Sequence, residues 1–242
     1  MSPPPTTMGA GLQVTVHSVP KLGRSAAENE DSAAADQVAA RFAIADGAST
    51  SARPEVWSRL LVDSFVTEHA DPLAPEILPH LRSRWWGHVA KPNLPWYATA
   101  KLMEGADSTF LGLLVDSAEG VYHAVSLGDS CLFHIRRQEI LWVGPVDHAD
   151  GFGRFPELVS SRAGAPRQQP TEFTTTYQDG DIFLLATDAV SAFLLKIYER
   201  HQRVPPLGTF VNSRERFARF VARHRHRGQL ANDDTTLCVV RT

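Results

Sequence analysis

The stretch Phe42–Gly47 consists of F-A-I-A-D-G, an apolar run of strand length that ends at an Asp-Gly pair. Short apolar runs bounded by turn residues are typical of buried strands. We therefore predict a strand over Arg41–Ala45, with the carboxylate of Asp46 directly after its last residue.

Three further segments repeat this arrangement of an acidic residue beside an apolar strand. H-A-V-S-L-G leads into Asp129, I-F-L-L-A-T leads into Asp188, and Asn232–Asp234 stands directly before T-T-L-C-V-V. In an antiparallel layered fold such strand ends can meet at one edge, where crowded carboxylates repel one another unless a cation neutralises them. Carboxylate oxygens suit Mg²⁺ or Mn²⁺. For each residue alone, a turn in which the aspartate accepts backbone hydrogen bonds is an open alternative.

The remaining patterns predict a layered α+β domain. Strand-like blocks lie at 12–16, 109–115, 121–127, 131–136, 139–143, 172–177, 182–187 and 235–241, and helical spacing begins at Pro54 and covers about 76–89, 96–103, 189–200 and 214–225. The close spacing of the strands after Gly105 indicates antiparallel pairing, because parallel strands need crossovers of a dozen or more residues. Helices and strands come in groups, which favours an α+β architecture over a doubly wound sheet.

Composition limits the class of protein further. The 242 residues suit one domain over 11–242, preceded by a flexible tail over 1–10 that is rich in proline, threonine and glycine. A formal charge of -3 gives no basic excess for nucleic acid or for an anionic membrane. Cys131 and Cys238 lie in apolar stretches, which predicts buried free thiols and a cytoplasmic protein.

Taken in order, the motifs resemble those of the metal-dependent protein phosphatases (the PPM, or type 2C, serine/threonine phosphatase family). The segments that carry the resemblance are E-N-E-D-S at 28–32, F-A-I-A-D-G at 42–47, G-A-D-S-T-F at 105–110, S-L-G-D-S at 126–130, V-D-H at 146–148, F-L-L-A-T-D-A at 183–189 and N-D-D-T-T-L at 232–237. They extend over nearly the whole chain, from about residue 12 to residue 241.

The resemblance implies a four-layer α-β-β-α sandwich, in which helices flank two packed antiparallel sheets with a binuclear Mn²⁺ or Mg²⁺ centre at one edge. It also implies hydrolysis of phosphoserine and phosphothreonine on a phosphorylated protein substrate, by a metal-activated water and without a covalent enzyme intermediate. By motif position, the residues implied are Asp46 as the bridging ligand, the Gly47 carbonyl, Asp188 and Asp233 as further ligands, Glu30 and Asp31 as direct or water-mediated ligands, and Asp129 at a third, weaker ion. Asp46, Asp188 and Asp233 would be catalytic through the metal-bound water.

Three positions depart from the family pattern. Ala189 stands where the family has a glycine, and Ala48 stands where many members carry a histidine that could act as a general acid, which leaves His148 as a weak candidate. The arginine that contacts the substrate phosphate is shifted along the chain, so Arg24 is the expected residue and Lys21 competes for the role.

These departures leave two alternative functions open. One is a phosphatase-like binding module that has lost catalysis and regulates a partner. The other is a phosphatase that acts on a small phosphorylated metabolite, which a deep and closed pocket beside the carboxylates would favour.

Overall fold

The computed structural model describes residues 11–153 and 155–242, so the tail predicted at residues 1–10 lies outside the described residues. The strands are β1 (Gln13–Val19), β2 (Ser32–Asp36), β3 (Arg41–Ala45), β4 (Asp107–Ser108), β5 (Phe110–Asp116), β6 (Val121–Leu127), β7 (Cys131–Arg136), β8 (Glu139–Gly144), β9 (Val159–Ser160), β10 (Thr171–Thr176), β11 (Ile182–Ala186) and β12 (Thr235–Arg241). The helices are α1 (Pro54–Val66), α2 (Leu78–Val89), α3 (Trp96–Glu104), α4 (Asp188–His201) and α5 (Arg214–His226).

Ten of these strands form two antiparallel sheets. The first has the order β1-β12-β11-β7-β8 and the second the order β10-β6-β5-β3-β2, while β4 and β9 form a separate two-stranded ribbon. The sheets face each other across a buried apolar layer in which Phe42, Leu111 and Tyr122 of one sheet meet Phe183 and Val240 of the other. The alternation of side chains along each strand makes this possible, since every second residue faces the partner sheet.

Helices cover the outer face of each sheet. Trp57 and Leu61 of α1 pack on the outer face of β3 beside Ala43, and Phe193 of α4 packs beside Leu184 of β11. The predicted α+β fold with four layers, α-β-β-α, is therefore confirmed. No helix in the described part of the chain is both long and apolar enough to cross a membrane.

Strand β2 is the main element that the sequence did not predict. Its residues S-A-A-A-D contain no β-branched or aromatic side chain, the types that are enriched in strands. Pairing determines its structure instead, because β2 forms an antiparallel ladder with β3 from Ser32 opposite Ala45 to Asp36 opposite Arg41. The two cysteines lie on β7 and β12 as buried free thiols, as predicted, and burial raises the pKa of each to about 12.

Candidate metal centre

The strand register brings the predicted acidic residues to one edge of the sandwich. Ala186, at the end of β11, pairs with Leu237 near the start of β12 and with Cys131 at the start of β7. Asp188, Asp233 and Asp129 therefore leave the first sheet on the same side. In the second sheet, Ala45 at the end of β3 pairs with Ser32 at the start of β2. This pairing places Asp46 beside the Glu30–Asp31 segment.

Asp46 is fixed by hydrogen bonds to its backbone. The Asp46 carbonyl accepts from the Thr109 N–H at 2.8 Å and from the Ser108 hydroxyl at 2.8 Å, and the Asp46 N–H donates to Thr109 Oγ1 at 3.0 Å. The next residue must be small, because a Cβ on Gly47 would lie 2.7 Å from the Glu30 carbonyl and 2.8 Å from Pro54 Cβ. The backbone is thus held while the carboxylate stays half-buried and without a hydrogen-bond partner among the described residues.

Asp188 is the first residue of α4, and its carboxylate accepts a hydrogen bond from the Ala189 N–H. The substitution of alanine for the family's glycine causes no backbone strain, because Ala189 lies in the right-handed first turn of α4 and has no positive φ. A negative charge at a helix N-terminus is also favoured by the helix dipole. The departure at Ala189 therefore leaves Asp188 in place.

The two aspartates before β12 have different environments. Asp234 is buried, and its carboxylate accepts from the Lys21 N–H and from the Glu30 N–H, each at 2.8 Å. Asp234 therefore joins the segment before β12 to both ends of the connection between β1 and β2. The Asp233 side chain is half-exposed, while its carbonyl accepts from the buried guanidinium of Arg225. The sequence pattern gave Asp234 no separate role, because neighbouring polar residues before a strand do not show which side chain is buried. The basic run at residues 223–227 suggests a solvated helix end, but Arg225 within it is buried.

The carboxylates of Glu30 and Asp31 also differ in their hydrogen bonding. The Glu30 carboxylate accepts from the Lys21 ammonium at 2.6 Å and from the Ser49 hydroxyl. The Asp31 Oδ2 atom accepts from the Thr187 hydroxyl at 3.2 Å, whereas its buried Oδ1 atom has no hydrogen-bond partner in the described part of the chain. A buried carboxylate oxygen without a partner is costly unless a cation meets it.

Electrostatics shows that the acidic side chains share one environment. Burial, and then the charges of Asp31, Asp188, Asp233 and Asp129, raise the pKa of Asp46 well above its ordinary value. Burial, and then the charges of Asp129 and Asp233, raise the pKa of Asp188 to about 7. Burial also raises the pKa of the Asp129 carboxyl, which is 8% exposed.

The donor set suits a hard divalent cation in its chemistry. Every candidate side chain offers carboxylate oxygens, the ligands that Mg²⁺ and Mn²⁺ take in proteins. One of these oxygens, Asp31 Oδ1, is buried and has no hydrogen-bond partner among the described residues. Within residues 11–153 and 155–242, no three acidic, histidine or cysteine side chains lie close enough together to hold a metal ion as they stand. The carboxylates thus repel one another through space without converging on one point.

The cations and the histidine expected near the centre lie in three different places. Arg24 is more than half exposed and forms an ion pair with Glu28 at 2.9 Å, so the structure does not place it against the carboxylates. Lys21 lies among them, with its ammonium 3.9 Å from the Asp233 carboxylate. His148 is exposed and follows Asp147 in a loop whose Ala149 N–H donates to Glu199.

The position of Glu199 shows how far His148 lies from the carboxylates. Glu199 lies eleven residues after Asp188 in α4, which corresponds to about 16 Å along the helix axis. His148 is therefore remote from the carboxylates. The structure gives it no contact with the groups that it would have to serve as a general acid.

Comparison with known proteins identifies the fold. No protein-family model matches the sequence, and no curated protein matches it significantly. Among solved structures, the catalytic domain of the serine/threonine protein phosphatase PstP in complex with two manganese ions shares 22% identity at a TM-score of 0.61, with 95% of this chain and 97% of that chain covered. A bacterial serine phosphatase shares 14% identity at a TM-score of 0.65, with 95% and 97% covered. The PPM Ser-Thr phosphatase MsPP from Mycobacterium smegmatis, in complex with cacodylate, shares 18% identity at a TM-score of 0.59, with 95% and 97% covered.

The chain therefore has the fold of the PPM-type serine/threonine phosphatases over almost its full length. The resemblance found in the sequence motifs predicted this fold, and that prediction is confirmed.

Proposed function

We propose that this protein is a metal-dependent phosphatase that hydrolyses phosphoserine and phosphothreonine on proteins in the cytoplasm. The observation that supports the proposal is that Asp46, Asp188 and Asp233 follow or precede strands at one edge of a PPM-type fold and influence one another's charge, with pKa values raised for the first two. The neighbour PstP was crystallised with two manganese ions, which supports Mn²⁺ as one cofactor. Mg²⁺ is the proposed alternative, and Asp129 is the proposed ligand of a third ion.

Asp46, the Gly47 carbonyl, Asp188 and Asp233 are the proposed ligands of two ions, with Glu30 and Asp31 as direct or water-mediated ligands. Two such ions supply a water of lowered pKa and neutralise charge on the phosphate. Phosphoryl transfer depends mainly on positioning and charge stabilisation, so no nucleophilic side chain is needed. The protein contributes rigidity, because Thr109 and Ser108 hold the Asp46 backbone and Asp234 ties the neighbouring loops together.

A protein substrate is favoured over a small metabolite by the form of the centre. Asp233 and Lys21 are part-exposed, and the loop that carries Ser49 lies at the surface. An open edge of this kind can receive a phosphorylated side chain that projects from a large molecule. The departure at Ala189 does not favour the regulatory alternative, since this residue is accommodated in α4 without strain.

We expect the purified protein to hydrolyse a generic aryl phosphate when Mn²⁺ or Mg²⁺ is present and to lose that activity in excess chelator. Calorimetry should show heat of Mn²⁺ binding at submillimolar concentration, and Mn²⁺ should raise the unfolding temperature. Full activity in chelator would contradict the metal role. A folded protein that gives no Mn²⁺ heat would favour the binding-module alternative.

The substrate class is tested separately, by comparing kcat/KM for a phosphoserine peptide with kcat/KM for a panel of phosphorylated metabolites.

Lys21 is the proposed contact for the substrate phosphate. Burial alone would lower the pKa of Lys21, but its hydrogen bond with Glu30 and the charges of Glu30, Asp234 and Asp233 raise that pKa above its ordinary value. The side chain is therefore a fixed ammonium beside the carboxylates. A hydrogen bond to a charged group contributes about 1.5–3 kcal/mol, so Lys21→Met should lower kcat/KM for an aryl phosphate about tenfold or more.

The same variant has a second readout that does not depend on activity. Without the ammonium, Glu30 loses its cation, so Lys21→Met should bind Mn²⁺ more tightly in calorimetry. The matched control is Arg24→Met, which removes a cation whose ion pair is with Glu28. If Arg24→Met caused the larger loss of kcat/KM, Arg24 would be the phosphate contact, as the sequence motifs predict.

A further inference from the structure

Helix α5 concentrates positive charge on a protein whose formal net charge is -3. Its thirteen residues contain five arginines and a single acidic residue, Glu215. Arg225 is buried and donates to backbone carbonyls, including that of Asp233, so its charge serves the fold. Arg216, Arg219 and Arg223 are exposed instead, and the spacing of three and four residues places them along one side of the helix.

Among the residues that the structure describes, these three arginines form no ion pair, since no carboxylate lies at ion-pair distance from any of their guanidinium groups. Two exposed arginines elsewhere on the protein do form such pairs, Arg24 with Glu28 and Arg53 with Glu55. The row on α5 therefore presents guanidinium groups that remain available to an anionic partner.

An apolar recess lies directly beside the arginine row. A groove of 770 Å³ runs between α4, α5 and the segment that joins them, and Ile197, Pro205 and Phe220 contribute to its walls. Its aromatic side chains are ordered by mutual contacts, since Phe210 and Phe220 stack at 4.2 Å between ring centroids, and the His224 ring lies 4.5 Å from that of Phe220. The groove is thus preformed, with an apolar floor and a cationic rim.

We propose that this groove binds an acidic segment of a partner protein that also carries an aromatic or large aliphatic side chain. The acidic side chains would pair with Arg216, Arg219 and Arg223, and the apolar side chain would enter the recess beside Ile197 and Phe220. The arginine row spans seven residues of helix, or about 10 Å. An extended peptide rises about 3.3 Å per residue, so three or four residues are enough to follow the row.

The apolar recess favours a peptide over a nucleic acid. Binding of nucleic acid gains mainly from many phosphate contacts along an extended basic surface, whereas this basic row is short and the protein as a whole is acidic. The aliphatic and aromatic carbon atoms of the recess offer a phosphodiester backbone no hydrogen-bond donors, but they can bury an apolar side chain. Arginine together with aromatic residues is also a typical composition for binding hot spots.

The test is fluorescence anisotropy with the full-length protein and a labelled peptide of Asp and Glu residues around one central Phe. We expect saturable binding that weakens with salt, and weaker binding of two comparison peptides, one with Ser in place of Phe and one with Gln in place of the acids. Arg219→Glu with Arg223→Glu should lower the affinity at least about tenfold, because like charges would then face each other. The exposed pair Arg162→Glu with Arg167→Glu makes the same change in net charge elsewhere and is the matched control.

The outcomes separate the proposal from its rivals. An equal loss in both double variants would overturn it, since net charge alone would then explain the binding, and so would equal affinity for the Gln-substituted peptide. Tighter binding of a mixed-sequence single-stranded DNA would also overturn it and assign the surface to nucleic acid. Circular dichroism of each variant confirms that the fold is intact. No metal ion or phosphatase activity enters the measurement, so its result is independent of the proposed function.

Discussion

Asp46→Asn should abolish metal-dependent hydrolysis while leaving the metal-free protein at least as stable as the wild type. The loss of activity is expected because Asp46 is the proposed bridging ligand, and a catalytic metal supplies several kcal/mol of transition-state stabilisation. Since each 1.36 kcal/mol is a factor of ten, kcat/KM for an aryl phosphate should fall at least about a hundredfold. Stability should not fall, because burial and then the neighbouring charges, which together raise the pKa of Asp46, disfavour its carboxylate in the absence of metal.

Two measurements check this prediction. The first compares rates with and without Mn²⁺, and the second compares unfolding temperatures in chelator and in Mn²⁺, where the wild type should gain stability and the variant should gain little. Asp147→Asn is the matched control, because Asp147 also lies in a family-like motif but its side chain is 73% exposed, next to the remote His148. An Asp46→Asn protein that kept wild-type activity would refute the assignment of this residue to the centre.

Asp181→Asn should have the opposite profile, a large loss of stability with activity retained below the unfolding temperature. Asp181 is buried and accepts from Arg136 at 2.6 and 2.7 Å, pairs with His134 at 2.8 Å, and accepts from the Gln178 N–H at 2.9 Å. Asp181 is buried whereas the Arg136 side chain is 31% exposed, so the expected cost is that of hydrogen bonds to a charged group, about 1.5–3 kcal/mol. Asp181 lies seven residues before Asp188, about 23 Å away along an extended strand, so the metal centre should not be affected.

The pH dependence of this loss follows from the charge of Asp181. Burial alone would raise its pKa, but the bonds from Arg136, His134 and Gln178 outweigh burial and leave the pKa below its ordinary value. Its contribution to the free energy of unfolding is therefore present above about pH 4. The contribution is lost as the pH falls through the lowered pKa of the folded protein.

Urea denaturation at pH 7 and at pH 3 measures this difference. The gap between the unfolding free energies of wild type and variant should be wide at pH 7 and narrower at pH 3. Asp179→Asn, an exposed neighbour in the same turn, should show no gap at either pH. A gap that widened toward acid pH would contradict the role assigned to the ion pair.

Sequence analysis predicted the elements whose side-chain pattern is strong. The strands at 121–127, 131–136 and 235–241 were predicted with the bounds that the structure has, because each is an apolar run between turn residues. The short strand β2 was not predicted, since its alanines have no preference for a strand and only the ladder with β3 defines it. The local residue pattern is thus sufficient to predict a strand whose side chains are selected by burial. It is insufficient for a strand such as β2, which is defined only by pairing with its neighbour.

The same limit applies to the candidate site. The sequence predicts that Asp46, Asp188 and Asp233 approach one another, because each stands at a strand end, and the register within each sheet agrees with this prediction. The sequence does not predict which of two neighbouring carboxylates is the more exposed. Asp233 and Asp234 are equivalent in the sequence and differ only in burial and hydrogen bonding. The contrast between Lys21 and Arg24 is of the same kind, since a loop backbone sets the reach of each side chain. Their assignments as ligands and phosphate contact remain predictions.

The location of β12 has a consequence for the synthesis of this protein. It lies between β1 and β11 inside its sheet, and the Asp234 carboxylate just before it holds a loop more than two hundred residues earlier in the chain. During translation, Asp46 and Asp188 are synthesised before this last strand. A nascent chain can therefore fold only around a gap in the sheet, and the acidic edge becomes complete only after translation has passed β12.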